Sequence, residues 1–179
     1  APENSVPLET GAGTVTWLVL VYRVPSEPTR LRAAVWRRLK ALGAVYLQNS
    51  AAAAPRTPAS ERALRALRNE IVESMSGKAY LISSASIIGQ NDLVDLYNDA
   101  RNDEYEEILD KCRDFHVGLD KEFAAEHFTY GELEENEEDL TKLRGWYDKV
   151  RTRDVLGAEG AGRVSDELEL CAHALETFA

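Results

Sequence analysis

No eighteen-residue apolar run occurs in this chain, which excludes a membrane-spanning helix. The apolar stretch at residues 16–22 is strand-length and has no basic flank before it. It does not read as a secretory signal, so a cytoplasmic protein is expected. Cysteine is scarce. Cys112 and Cys171 lie far apart in helical sequence, which favours packed thiols over a disulfide framework. The three histidines, His116, His127 and His173, are scattered, and none follows a Glu by three positions, so the Glu-x-x-His signature of di-iron bundles is missing. Also absent are CxxC, HExxH, a P-loop and GxSxG. These absences argue against a metal site and a nucleotide cofactor. They leave open whether the chain catalyses any reaction.

What the chain does hold is enough apolar sequence, 44% of its residues, to fill a core. One compact domain, or one with a helical extension, is the expectation for this length. The net charge of −10 is unevenly spread. Residues 23–68 carry ten Lys/Arg against Glu27 and Glu61, a balance of +8, and residues 69–179 carry eleven against twenty-seven Asp/Glu, a balance of −16. Such a split suits either a partner-binding device or two halves that attract one another.

The first half reads as β-α-β-β-α-β. Residues 14–22 are rich in β-branched and aromatic side chains and read as a buried strand, broken by Pro25 and Pro28. A helix follows from Thr29, with Leu31, Val35, Leu39 and Leu42 on one face and Gly43 as its stop. Residues 44–48 and the alanine run 51–54 read as strands joined by Asn49-Ser50, the second of them weak. Thr57-Pro58 announces a second helix with a Leu64, Leu67, Ile71 and Met75 stripe. Residues 78–83 form the fourth strand. This order predicts an α+β, ferredoxin-like antiparallel sheet with both helices on one face. The expected domains are a flexible segment at 1–13, the ferredoxin-like domain at 14–88, and an acidic helical extension at 89–179 packed on it.

In that extension, a helix over 92–125, continuous or joined near Asn102, precedes two more. The first has a stripe at Leu133, Leu140, Leu143, Tyr147 and Val150. The second has one at Val164, Leu168, Cys171, Leu175 and Phe178, after a flexible link at 157–162. Asp103, Glu107, Asp110 and Asp114 share a helical face, which reads as a solvated surface; paired carboxylates do acid–base work only when desolvated.

The loop after the first strand is the best local site. Arg23 ends the strand, Ser26 and Glu27 sit between the prolines, and Arg30 opens a helix whose N-terminus offers free N–H groups to an anion. The alternative is a well-capped connector in which Glu27 pairs with the arginines. Trp36 lies off the apolar stripe, flanked by Arg32 and Lys40, with Arg30 and Arg37 farther round. An exposed Trp among cations suits a base or an aromatic ligand. Arg62 and Arg65 on the second helix would extend this into a basic face built from Arg32, Arg37, Lys40, Arg62 and Arg65, suited to DNA phosphates. The competing reading has the acidic helices covering that face. Arg101 and Tyr105 complete the candidate ligand set of Arg23, Ser26, Arg30, Trp36, Arg37, Arg101 and Tyr105; for an enzyme or ligand-binding protein, a pocket between the sheet and the helical half would take its polar lining from Arg23, Tyr22, Trp36, Arg101 and Tyr105. Arg101 is alternatively an ion-pair tie.

The segments WLVLVYRVPSEPTRLRAAVWRRLKALGAVYLQNS, ARNDEYEEIL and ELEENEEDLTKLRGWYDKVRTRDVLGA resemble the N-terminal domain of the ChrB family of bacterial chromate-resistance regulators. The likeness runs from about Thr16 to the C-terminus. It implies a ferredoxin-like domain with a helical extension, similar to the C-terminal part of phenylacetic-acid-type repressors, and chromate-dependent regulation of resistance genes. It carries no catalytic residues. The chain stops where the family's second domain would begin, which leaves room for another task in a specialised metabolic pathway.

Three readings follow. The first is a regulatory module that binds DNA, a small oxyanion, or both. The second is a metal-independent small-molecule enzyme or ligand-binding protein that takes an anionic or aromatic compound. The third is a structural protein that homodimerises through its unused apolar stripes.

Overall fold

The computed structural model describes residues 15–126 and 128–177. The expected flexible segment 1–13 lies outside them, as do Thr14, His127 and Phe178. The chain divides into two compact units, Ala1–Asn91 and Asp92–Ala179.

In the first unit the elements run β1 (Trp17–Arg23), α1 (Arg30–Leu42), β2 (Val45–Gln48), β3 (Ala51–Pro55), α2 (Pro58–Ser74) and β4 (Lys78–Ser84). The four strands form an antiparallel sheet in the order β2-β3-β1-β4. Strand side chains alternate between faces. Leu18 and Leu20 of β1, Ala52 and Ala54 of β3, and Ala79 of β4 therefore share a core with Val35 and Leu39 of α1 and Leu64, Leu67 and Ile71 of α2. Both helices thus cover one face of the sheet. The other face keeps Val21, Tyr80 and Ile82 exposed.

The alanine strand β3 owes its existence to this setting. Alanine has little intrinsic preference for strands, but β3 is interior and all five of its residues are buried. Its small side chains leave space for the larger ones of the helices. The second helix begins where Thr57 and Pro58 predict. Thr57 Oγ1 accepts the Ser60 N–H at 3.0 Å and Ser60 Oγ accepts the Thr57 N–H at 2.8 Å, a reciprocal cap. Gly43 closes α1 in the left-handed region at φ 87, as its position suggests.

The second unit holds three helices, α3 (Gln90–Ala124), α4 (Tyr130–Arg153) and α5 (Ala161–Glu176). The first is continuous through Asn102. Its Tyr105, Ile108, Cys112, Phe115 and Leu119 recur at alternating three- and four-residue steps and so form one stripe. They pack with Leu140 and Val150 of α4 and with Val164, Leu168, Cys171 and Leu175 of α5. The connector between α4 and α5, expected to be flexible, is pinned. Asp154 Oδ1 accepts the Ala158 N–H at 2.8 Å, and the Gly160 N–H reaches Asn102 Oδ1 at 2.9 Å. Asp103, Glu107, Asp110 and Asp114 are all exposed, as a solvated acidic face requires.

Between α2 and β4 the backbone turns tightly. Ser76 adopts φ 53, and the Gly77 N–H returns to the Ile71 carbonyl at 2.9 Å. A Cβ on Gly77 would lie 2.4 Å from the Arg23 carbonyl oxygen and 2.7 Å from Ile71 Cγ2, so this residue has to be glycine. Replacing Gly77 by Ala is expected to destabilise the protein by about 1–3 kcal/mol, the usual cost of overpacking. Gly145, exposed within α4 with nothing within 4 Å of an added Cβ, should gain about 0.5–1 kcal/mol as Ala. Urea unfolding of the two variants measures both, with opposite signs expected.

Candidate functional site

At the end of the sheet where β1 runs into the α1 loop, the first unit opens a cavity of about 950 Å3. Four segments line it. The end of β1 and its loop supply Tyr22, Arg23, Ser26 and Glu27; α1 supplies Arg32 and Trp36; the end of β2 and its turn supply Tyr46, Asn49 and Ser50; and the turn after α2 supplies Ser76, Gly77 and Lys78.

Its electrostatics follow from strand register. Antiparallel pairing of β1 with β4 sets Arg23 directly opposite Lys78. Like charges opposed across neighbouring strands repel. Among the described residues no carboxylate forms an ion pair with Arg23, Arg32 or Lys78. Three other cations of this unit are neutralised: Arg38 pairs with Glu70, while Arg56 and Arg65 both hold Glu61, whose carboxyl is kept below its usual range by hydrogen bonds from Arg65 and then Arg56. Among the described residues Glu27 is the one acid lining the cavity, and it pairs with neither Arg23 nor Arg30. The connector reading therefore lacks its ion pair.

Two further walls are polar or aromatic. Trp36 is 48% exposed, and Lys40 Nζ sits 4.7 Å from the centroid of its ring. The Tyr22 and Tyr46 hydroxyls share a 3.0 Å hydrogen bond. The Tyr46 hydroxyl is pushed well above the ordinary tyrosine range, first by burial and then by that bond.

The remaining sequence candidates fall elsewhere. Arg30 opens α1 but does not line the cavity, and Arg37 is exposed outside it. Thr29 holds the N-cap position without a side-chain cap, and the Leu31 N–H is taken by the Pro28 carbonyl at 3.1 Å. Arg62 is exposed on α2, and Arg65 is held by Glu61.

Arg101 and Tyr105 belong to the second unit and are buried in its own polar network. Arg101 Nε lies 2.8 Å from Glu104, which also receives Arg153 of α4 at 3.2 Å, and the Arg101 guanidinium stacks 4.6 Å over Tyr97. The Tyr97 hydroxyl donates to the Arg153 carbonyl. Tyr105 donates to Asp154 Oδ2 at 2.6 Å. Burial, reinforced by this bond, raises the Tyr105 hydroxyl above its ordinary range. These two side chains tie α3 to α4 and its connector.

Lys78, Tyr46, the Asn49-Ser50 turn and the Ser76-Gly77 turn are lining residues that the sequence does not single out for the site. Only strand register brings Lys78 to Arg23, and no spacing in the sequence signals that pairing.

A four-stranded antiparallel α+β unit with an uncompensated cationic cavity, joined to a three-helix unit, is the class of protein these features define. The family model described as "Protein ChrB, N-terminal" matches residues 32–179, and the chain belongs to that family. The match begins within α1, so it takes in Arg32, Trp36 and Lys78 and leaves β1 outside. Protein ChrB of Cupriavidus metallidurans is 28% identical over 99 residues, covering 55% of this chain and 27% of the relative. The chain thus spans about a quarter of that curated protein's length. No solved structure matches. Among the described residues no helix is long and apolar enough to cross a membrane.

Two predictions follow from the hydroxyl pairs. The fold holds the Tyr46 proton more tightly than the unfolded chain does. Its contribution to stability is therefore complete below about pH 10, the unfolded tyrosine value, and is lost as pH rises toward the folded one. Alkaline titration followed by phenolate absorbance should show Tyr46 lagging the exposed tyrosines, and Tyr22→Phe should reverse only the smaller, hydrogen-bond part of the lag. In the second unit, Tyr105→Phe strips a buried donor from Asp154 and should cost about 1–3 kcal/mol in urea unfolding.

Proposed function

We propose that this chain is the sensing part of a chromate-resistance regulator and that its first unit, a ferredoxin-like domain by strand order, binds an oxyanion in the cationic cavity. The observation that carries this reading is Arg23 facing Lys78 across β1 and β4, with Arg32 lining the same cavity and, among the described residues, no carboxylate paired to any of them. An anion placed among them turns mutual repulsion into attraction and gains charge-assisted hydrogen bonds. Ser26, Asn49 and Ser50 add neutral donors at the rim. Family membership supports a link to chromate resistance. DNA contact is the second half of the proposal, through Arg37, Lys40 and Arg62 on the outer surfaces of α1 and α2, which are exposed and carry no carboxylate partner among the described residues.

Calorimetric titration with chromate and with sulfate tests the anion site. Saturable binding that weakens at least about tenfold in Arg23→Ala and Lys78→Ala, each removing a charged hydrogen bond worth about 1.5–3 kcal/mol, is the expected result. Unchanged affinity in both variants rejects the site. Band shifts across a salt series test the DNA arm, where affinity must fall steeply with salt.

The cavity's size supports a second reading. At about 950 Å3 it is far larger than one tetrahedral oxyanion and falls in the range of sites for small organic ligands. With Trp36 as a stacking wall and the Tyr22–Tyr46 hydroxyls as a polar end, an aromatic acid fits the same cations. A thermal-shift screen separates the two readings: a rise in melting temperature with aromatic acids but not with chromate or sulfate favours the organic ligand.

A further inference from the structure

The two cysteines of this chain, 59 positions apart, meet in the core of the second unit, one on α3 and one on α5. Cys171 Sγ lies 3.8 Å from the Cys112 carbonyl oxygen and 3.5 Å from Nε2 of His116, one helical turn beyond Cys112. Both thiols are fully buried and unbridged, whereas His116 is only part-buried. The imidazole is therefore a partly exposed group in contact with a fully buried sulfur. The chain contains no other sulfur nucleophile, and the oxyanion cavity in the other unit does not use these residues.

We propose that Cys112 and Cys171 are a redox-active dithiol that a peroxide converts to an intramolecular disulfide, with His116 carrying the proton to solvent. A thiolate attacks the peroxide oxygen, forming a sulfenic acid and releasing water. The second thiolate then displaces hydroxide from that sulfur, so two thiols and one H2O2 give one disulfide and two waters. The sulfurs are reduced partners in a two-electron step, and the peroxide is the oxidant.

Three features of the site favour this over two inert packed thiols. The Cys171 thiol donates to the Cys112 carbonyl oxygen at 3.8 Å, and the closeness of the two thiols holds Cys112 below its ordinary range while it, with burial, raises Cys171. One sulfur is thus the better thiolate and the other the proton holder, a division that suits attack followed by resolution. A base is already within reach of Cys171. Finally, the pair closes a long segment, from α3 through all of α4 to α5, so the disulfide would restrict the unfolded chain strongly.

The test uses the whole chain. Native protein is exposed to a small excess of hydrogen peroxide, quenched, denatured and treated with a thiol-alkylating reagent before intact-mass measurement. A loss of two hydrogens with no alkylation, reversed by dithiothreitol and accompanied by a higher melting temperature, is expected. His116→Gln should slow disulfide formation about tenfold or more while leaving the melting temperature of the reduced protein unchanged, which a purely packing role would not produce. Cys112→Ser and Cys171→Ser should each leave a single thiol that peroxide carries to the sulfinic or sulfonic state. Two alkylatable thiols after native exposure would overturn the proposal, as would gain of oxygen without a disulfide or a reaction seen only once the protein is unfolded.

Discussion

A close backbone approach beside the cavity, Gly77 against the carbonyl of Arg23, governs the site more than any single charge does. With no side chain there, the turn after α2 lies directly on the end of β1, and the Gly77 N–H locks back to Ile71. That contact delivers β4 into register, and register puts Lys78 across from Arg23. A turn held farther off would spread the two cations apart and flatten the hollow. Here a steric fact about a residue without a side chain precedes the electrostatics.

The price of that geometry is an uncancelled positive field. Elsewhere in the same unit three cations have a carboxylate: Arg38 has Glu70, and Arg56 and Arg65 share Glu61. Around the cavity the pattern breaks, although the full chain holds ten more acidic than basic residues. An acidic protein that leaves Arg23, Arg32 and Lys78 without partners among the described residues keeps strong donors in reserve. The field of such a cluster attracts anions and raises their local concentration. The same cations disfavour an empty site, so binding would relieve repulsion as well as form bonds.

Much of the fold is legible in the sequence because apolar periodicity and caps are local. The Leu64, Leu67 and Ile71 stripe, the Thr57-Pro58 entry and the Gly43 exit each sit where their residues indicate. The alanine strand β3 reads weakly because its burial comes from neighbours on both sides rather than from its own side chains. At the site, Arg23, Ser26, Arg32 and Trp36 are readable from one loop and one helix face, whereas Lys78 and Tyr46 come from segments far along the chain. Arg101 and Tyr105 illustrate the opposite failure. A buried arginine and a tyrosine on an acidic helix look like ligand groups until Glu104, Arg153 and Asp154 are seen to satisfy them.

The two units spend their polar groups in different ways, and this is why one carries the proposed recognition site and the other does not. In the helical unit the buried polar side chains face inward onto each other. Asp154 takes Tyr105 and the Ala158 amide, and Glu104 takes two guanidinium groups. Leaving any of these partners unpaired in the interior costs more than forming the pair gains, so the network fixes one arrangement of α3, α4 and their connector. In the sheet unit the same residue types stand at a rim, with apolar packing beneath them already complete through Leu18, Leu20 and the two helices. That packing does not require the rim charges. Arg23, Arg32, Lys78 and Trp36 are consequently free to be chosen for what they hold, while Arg101 and Tyr105 are fixed by what they support.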